Sequence, residues 1–363
     1  MIPQAAPARR IARFRAEIDA AVASVLGGDS YILGEAVESF ERAFAEEAGA
    51  AHCVGVASGT DAIALGLRAL GIGPGDEVIV PAMTFVGTAQ AVLHCGALPR
   101  LVDVDPATRC IDVAAAAAAV GPHTAAIVPV HLFGHPAPMP ALMELAGRHG
   151  LAVVEDCAQS HGASLDGRPL GGFGHAAAYS FYPTKNLGCV GDGGAVATND
   201  ARLAARLRAL RNYGFDGPER ISRVCGFNSR LDAIQAAILS VLLPHLRAGN
   251  AERLEIAARY RAALPAAAGL ALPPDHGACV YHQFAITHPE RDRLAAHLAA
   301  AGIGTAVHYT PGLHRHPVFA EAASGPLPVT DALADTLLSL PIQPEIAAEA
   351  PEAVAAALGT FSA

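Results

Sequence analysis

The chain has no tryptophan and, among 24 arginines, a single lysine, Lys185. Every ordinary surface-cation position is filled by arginine, which serves salt bridges, helix ends and solubility equally well. Imine chemistry is the one task guanidinium cannot perform, because it needs a primary amine that can lose its proton. Charged residues are scarce at 16% against 52% hydrophobic, which excludes a disordered or fibrous chain and points to a well-buried enzyme. No apolar run approaches the roughly 20 residues that span a bilayer. The alanine-rich stretch 114–120 is stopped by Gly121 and Pro122. The opening MIPQAAPARR lacks the apolar core of a signal peptide, so the expected location is cytoplasmic. No basic cluster stands against the net charge of −9, so nucleic acid is not an expected partner. The seven cysteines are scattered without a CxxC pair, which reads as buried thiols in a reducing compartment and not a disulfide framework or zinc site.

What is present is a rhythm of short apolar runs and helical segments. Strands are expected over 52–56, 77–80, 100–104, 125–130, 151–155, 176–181 and 195–198, with helices over 61–70, 86–95, 137–148 and 201–210. Near-continuous apolar strands fit a sheet covered on both faces. The expected fold is α/β: a large, doubly wound, mainly parallel seven-stranded sheet domain over 26–245, joined to a smaller C-terminal α+β domain over 246–363. A helix in the first 25 residues is expected to pack on that smaller domain. A long helix over 235–265 should kink or break at Pro244, and loops are expected over 265–277 and 324–328.

The chemistry-bearing residues follow strands, where such sheets collect ligands. Ser180-Phe-Tyr-Pro-Thr-Lys185-Asn-Leu-Gly ends one strand and leads into Gly191-Asp-Gly-Gly194. Val153-Val-Glu-Asp156-Cys-Ala-Gln159 ends another; a carboxylate there can hold a proton on a pyridine nitrogen, or simply cap the next helix. Ser58-Gly59-Thr60-Asp61 opens a helix and offers either a phosphate cradle or an ordinary N-cap. Phe85 follows a fourth strand and is placed to stack on a flat ring or to fill core. Each signal is modest alone; four strand ends agreeing on one sheet edge carry the reading. His308, His314 and His316 lie close in sequence, but their spacing fits no helix pair and no acidic ligand is near, so no metal is expected.

With these motifs in hand, the chain closely resembles the DegT/DnrJ/EryC1/StrS sugar aminotransferases, which have the aspartate-aminotransferase-like fold of type-I pyridoxal-phosphate enzymes. The resemblance rests on Gly-Thr-Asp-Ala at 59–62, Glu-Asp-Cys-Ala-Gln at 155–159, the run at 180–188 and Gly-Asp-Gly-Gly at 191–194. It continues through Arg-Asn-Tyr-Gly at 211–214, Gly-Phe-Asn-Ser-Arg-Leu-Asp at 226–232, Val-His-Tyr at 307–309 and Ser-Leu-Pro at 339–341. It implies a homodimer with shared active sites and pyridoxal 5'-phosphate held as a Schiff base by Lys185. Asp156 would pair with the pyridinium, Ser58, Gly59, Thr60 and Ser180 would bind phosphate, and Asn228 would reach that phosphate from the partner subunit. Phe85 resembles the ring-stacking aromatic and Gln159 the neighbour of the ring hydroxyl. His161, Tyr213, His308 and Tyr309 are implied as substrate-pocket residues.

The implied reaction is ping-pong transfer of an amino group from L-glutamate to a nucleotide-linked keto-sugar. The Asp-Cys-Ala-Gln-Ser-His-Gly and Gly-Asp-Gly-Gly runs resemble members acting at C3 of the hexose, although Ser160 stands where alanine is commoner. A 4-keto sugar or a keto-inositol remains an open alternative. The retained Lys185 argues against a non-enzymatic regulator and against a 3-dehydratase, which carries histidine in its place.

Overall fold

The computed structural model describes residues 1–363 except 218, 265–268, 276, 277, 347, 348, 362 and 363, so part of the loop expected over 265–277 lies outside the described residues. Seven strands form the central sheet: β1 (His52–Val56), β2 (Glu77–Pro81), β3 (Leu98–Val102), β4 (Thr124–Ile127), β5 (Ala152–Asp156), β6 (Ala176–Ser180) and β7 (Gly194–Thr198). Their order is β1-β7-β6-β5-β4-β2-β3. β2, β3, β4, β5 and β6 pair in parallel, while β7 runs antiparallel to both β6 and β1. The reason is local. Residues 181–193 contain no helix, so the chain cannot cross over and must return beside the strand it just left. β1 therefore points the same way as β6, and the carboxyl ends of β1, β2, β5 and β6 share one edge.

The strands are mostly apolar, with polar residues mainly at their ends, and helices cover both faces. The helix Gly59–Ala69 lies on one face, close enough that a Cβ on Gly66 would stand 3.4 Å from Val154. On the other face Phe40 and Phe44, from the helix Glu35–Glu47, meet Tyr179 and Phe181 edge to face. Pro244 does break the long helix, into Ala233–Leu242 and Leu246–Ala263 with a single tight turn between them. Beyond it, β8 (Phe284–Thr287) and β9 (Leu337–Leu340) pair antiparallel around a separate core containing Tyr260, Phe284, Leu294 and Val354.

Two contacts run across the expected division of 26–245 from 1–25 and 246–363. Ile2 pairs with the C-terminal unit through Gly302 and Gly304, but the helix Arg15–Leu26 buries Ile18 with Phe40, Leu239 and Leu242 of the large unit. Residues 313–334 also leave the C-terminal unit: Leu313, Phe319 and Leu327 join the core of the large sheet. Asp103, just past β3, draws them there by accepting hydrogen bonds from the Val329 and Thr330 amides and the Thr330 hydroxyl at 2.7–2.9 Å. Among the described residues no helix is long and apolar enough to cross a membrane.

Candidate active site

At the shared edge lies a cavity of about 470 Å³, a size suited to a small organic ligand. Lys185 enters it from the loop after β6, and Asp156 from the end of β5. Burial pushes the Lys185 amine down to about 8, with Asp156 opposing the shift. About a tenth of the amine is therefore unprotonated and nucleophilic at pH 7, against well under a thousandth for an ordinary lysine. Asp156 is buried; desolvation drives its carboxyl above the usual range, against hydrogen bonds from Ala158 N–H at 3.1 Å and Thr88 Oγ1 at 2.9 Å. A cation brought against that carboxylate would relieve its desolvation, which is what a protonated pyridine nitrogen offers.

The third wall is the start of the helix Gly59–Ala69. Ser58 caps it by accepting from Asp61 N–H at 3.1 Å, and the first amides of the helix have no intrahelical partner. Gly59 is required here: a Cβ would come within 2.6 Å of Ser180 Cβ. A Cβ on Gly194 would likewise meet the Ser58 carbonyl at 2.3 Å. The close approach of β1, β6 and β7 thus packs Ser58, Gly59, Thr60 and Ser180 into one cradle with the positive end of a helix dipole behind it, which fits a phosphate.

The opposite wall comes from the C-terminal unit. Tyr309 stands 5.7 Å from Phe85, ring centre to ring centre, and burial raises its phenol so that it keeps its proton. Gln159 spans the gap, its Oε1 accepting from Phe133 N–H at 2.6 Å and its Nε2 donating to Tyr309 Oη at 2.9 Å. His308 also borders the cavity, its Nδ1 2.8 Å from Ser339 Oγ; burial, with Lys185 nearby, pushes it down to about 4.

The residues read from sequence thus divide. Ser58, Gly59, Thr60, Phe85, Asp156, Gln159, Ser180, Lys185, His308 and Tyr309 all border the one cavity. Tyr213 and Asn228 do not; they sit together on an exposed loop where Asn212 and Asn228 bridge and the Arg230 guanidinium lies 5.5 Å over the Tyr213 ring. His161 is corrected. Its ring is buried beside Phe44, Tyr179 and Phe181, with centroids 5.6–6.4 Å away, and does not reach the cavity. The turn after β5 aims the ring inward because the adjoining surface is aromatic. His308 and His314 have separate partners, Ser339 and Asp331, so the sequence triplet forms no cluster.

Several residues escaped the sequence reading. Thr88 orients Asp156 from a helix with no motif of its own. Glu155 accepts from Gly171, Phe173 and Gly174 amides and pairs with His131 at 3.1 Å, fixing the end of β5 from behind. Burial opposes its charge, but these hydrogen bonds outweigh that and hold the carboxyl below its usual range. Although Cys157 lies within ligand distance of this pair, the committed hydrogen bonds make the group a structural hub. Arg10, buried, donates to the carbonyls of Pro183, Lys185, Asn186 and Gly188 at 2.8–3.2 Å and so clamps the lysine loop. His282 borders the cavity from a segment that no motif marks.

A lone amine, a buried carboxylate and a helix-capped anion cradle on a mixed seven-stranded sheet define a pyridoxal-phosphate-dependent aminotransferase of fold type I. The family model for the DegT/DnrJ/EryC1/StrS aminotransferase family matches residues 13–359, and the chain belongs to that family. It is 48% identical over 345 residues to a dTDP-3-amino-3,4,6-trideoxy-alpha-D-glucose transaminase of Streptomyces venezuelae, covering 94% of this chain and 90% of the relative. It is 46% identical over 350 residues to a UDP-N-acetyl-3-dehydro-alpha-D-glucosamine 3-aminotransferase of Acidithiobacillus ferrooxidans, covering 96% and 94%. The crystal structure of S. venezuelae DesV in complex with a ketimine intermediate superposes with a TM-score of 0.95 at 45% identity, covering 98% of this chain and 97% of that one.

Proposed function

We propose that the enzyme transfers an amino group from L-glutamate to C3 of a keto-hexose linked to a nucleotide, giving an amino sugar and 2-oxoglutarate. The observation that carries the reading is the placement of the only lysine in the chain beside Asp156 in a cavity large enough for cofactor and sugar together. The position of amination is supported by the relatives, whose names place the amino group at carbon 3. Pyridoxal phosphate supplies the electron sink that stabilises charge at the reacting carbon. Lys185 would hold it covalently, and its Nζ would be the base that moves a proton at the substrate carbon. Asp156 would favour positive charge on the pyridine nitrogen, and Ser58, Gly59, Thr60, Ser180 and the first amides of the helix would hold the phosphate. Phe85 and Tyr309 border the cavity with ring centres 5.7 Å apart, and Phe85 would stack on the cofactor ring. The family resemblance implies a homodimer, and the exposure of Asn228 outside its own chain's cavity supports it: Asn228 would reach the phosphate held by a second copy.

Two measurements test this. Borohydride reduction of the yellow holoenzyme is expected to attach the cofactor to the peptide containing Lys185, and Lys185→Arg to lower transamination by at least about 10³-fold. In a panel of nucleotide-linked 3-keto and 4-keto hexoses and keto-inositols, each with L-glutamate, the 3-keto sugars are expected to turn over fastest. Turnover of a 4-keto sugar alone, or of keto-inositol alone, overturns the substrate reading while leaving the chemistry intact.

A further inference from the structure

A chain of three side chains runs from Lys185's neighbour to the cavity and has only one consistent proton arrangement. Asn250 Nδ2 donates to the His161 carbonyl at 2.8 Å, and Asn186 Nδ2 donates to the Val280 carbonyl at 3.1 Å and to Asn250 Oδ1 at 2.9 Å. Backbone carbonyls only accept, so the orientation of both amides is fixed. Asn186 Oδ1, now known to be the acceptor end, lies 3.2 Å from His282 Nδ1. That nitrogen must carry the proton, and Nε2 is left as a lone pair. His282 is 4% exposed and borders the same cavity as Lys185. Burial, reinforced by the charges of Lys185 and Arg253, holds its ring well below the usual histidine range, so the ring stays neutral at working pH. Of the polar groups beside it, Gln159 has both ends of its amide committed, His308 has its Nδ1 on Ser339 and Gln283 has its Oε1 on Gln4. His282 Nε2 is thus a preorganised acceptor that meets no hydrogen-bond partner among the described residues.

We propose that His282 Nε2 accepts a hydrogen bond from a ring hydroxyl of the sugar that receives the amine, making His282 a specificity-determining contact for the second substrate only. This rests on the keto-sugar reading above. The hydroxyl is the matching chemistry: hexoses present donors around the ring, whereas the α-carboxylate of an amino-acid donor would be repelled by a lone pair. A site built around a hydroxyl rejects an analogue lacking it, because its buried acceptor is then left unpaired.

The test uses the holoenzyme and two variants that separate packing from contact. His282→Asn keeps a donor at the Nδ1 position for Asn186 but withdraws the Nε2 position from the cavity; His282→Gln places an amide oxygen or nitrogen near Nε2. With a nucleotide-linked 3-keto hexose, His282→Asn is expected to raise KM about tenfold and to weaken calorimetric binding of the amino-sugar product equally. The half-reaction with L-glutamate, followed by loss of the cofactor's yellow colour, should change less than about twofold. His282→Gln should recover part of the sugar affinity. Among ring-deoxy analogues, one should bind wild type and His282→Asn alike, which identifies the hydroxyl. If both half-reactions fall together in His282→Asn, or if the sugar half-reaction is unchanged, the proposal is wrong. If the wild type accepts only keto-inositols, the keto-sugar reading fails, and the same two variants are then scored on the inositol hydroxyls. A wild type that aminates no hydroxylated ketone overturns both.

Discussion

Lys185 must be unprotonated to capture an aldehyde, yet it sits beside Asp156, whose charge favours the protonated amine. Burial decides the balance, lowering the amine to about 8 from its ordinary value of 10.5. Capture of pyridoxal phosphate by the cofactor-free protein should therefore accelerate about tenfold per pH unit up to about 8 and level off above it, followed by stopped-flow absorbance. The stability consequence has a definite sign. The folded-state value lies below the unfolded one, so the charged amine destabilises the cofactor-free fold at neutral pH, and that penalty disappears as pH rises from about 8 through 10.5. Lys185→Met should accordingly melt above wild type at pH 7, with the gap closing across that window. A capture rate that is flat from pH 6 to 9 would contradict the burial of this amine.

At the scale of elements, the seven strands and the break at Pro244 were legible because their signals are local: apolar runs of strand length, and a ring that cannot donate or fit mid-helix. The agreement of four strand ends was legible for the same reason, since parallel strands deliver their carboxyl ends to one edge. The helix Glu35–Glu47 was not among the expected elements, although Val37, Phe40 and Phe44 mark its buried face at helical spacing. What local sequence does not carry is the choice of tertiary partner. Nothing near Arg10 announces that its guanidinium will satisfy four carbonyls about 175 residues away, nor does anything near His161 reveal that aromatic neighbours will keep its ring from the cavity. Arg10 gives this a measurable form. Arg10→Met would leave four carbonyls of the lysine loop, one buried and three half-buried, without this donor, so stability in urea is expected to fall by about 2 kcal/mol and cofactor to dissociate faster. Arg13→Met, three residues on but on the surface opposite Glu252, should change stability by less than about 0.5 kcal/mol. Equal effects from the two substitutions would mean that the clamp has no special weight.

For the whole molecule, the proposed homodimer turns on two residues that lie outside the cavity of their own chain. Ten of the residues read from sequence border the cavity, yet Asn228 and Tyr213, carried by equally specific motifs, face solvent. The loop is not loose: Ser229 accepts from the Ala57 amide and donates to Asp61, tying it to the start of the phosphate-facing helix, and Tyr213 N–H bonds the Phe227 carbonyl. Tyr213 and Asn228, exposed beside the cradle but not in it, are placed where a contribution to a neighbouring copy could be made. If Asn228 serves the partner's phosphate, each active site takes Lys185 from one chain and Asn228 from the other. Asn228→Asp would set a carboxylate against that phosphate and abolish activity, as would Lys185→Arg, each alone in its homodimer. Unfolding and refolding the two inactive proteins together should then create heterodimers in which one site inherits both defects and the other inherits neither. Half of the randomly reassembled dimers would be of this kind, each with one intact site, so activity should return to about a quarter of the wild-type level per total site. Chains that each built a whole site would give no recovery at any mixing ratio, because every site would carry its own defect.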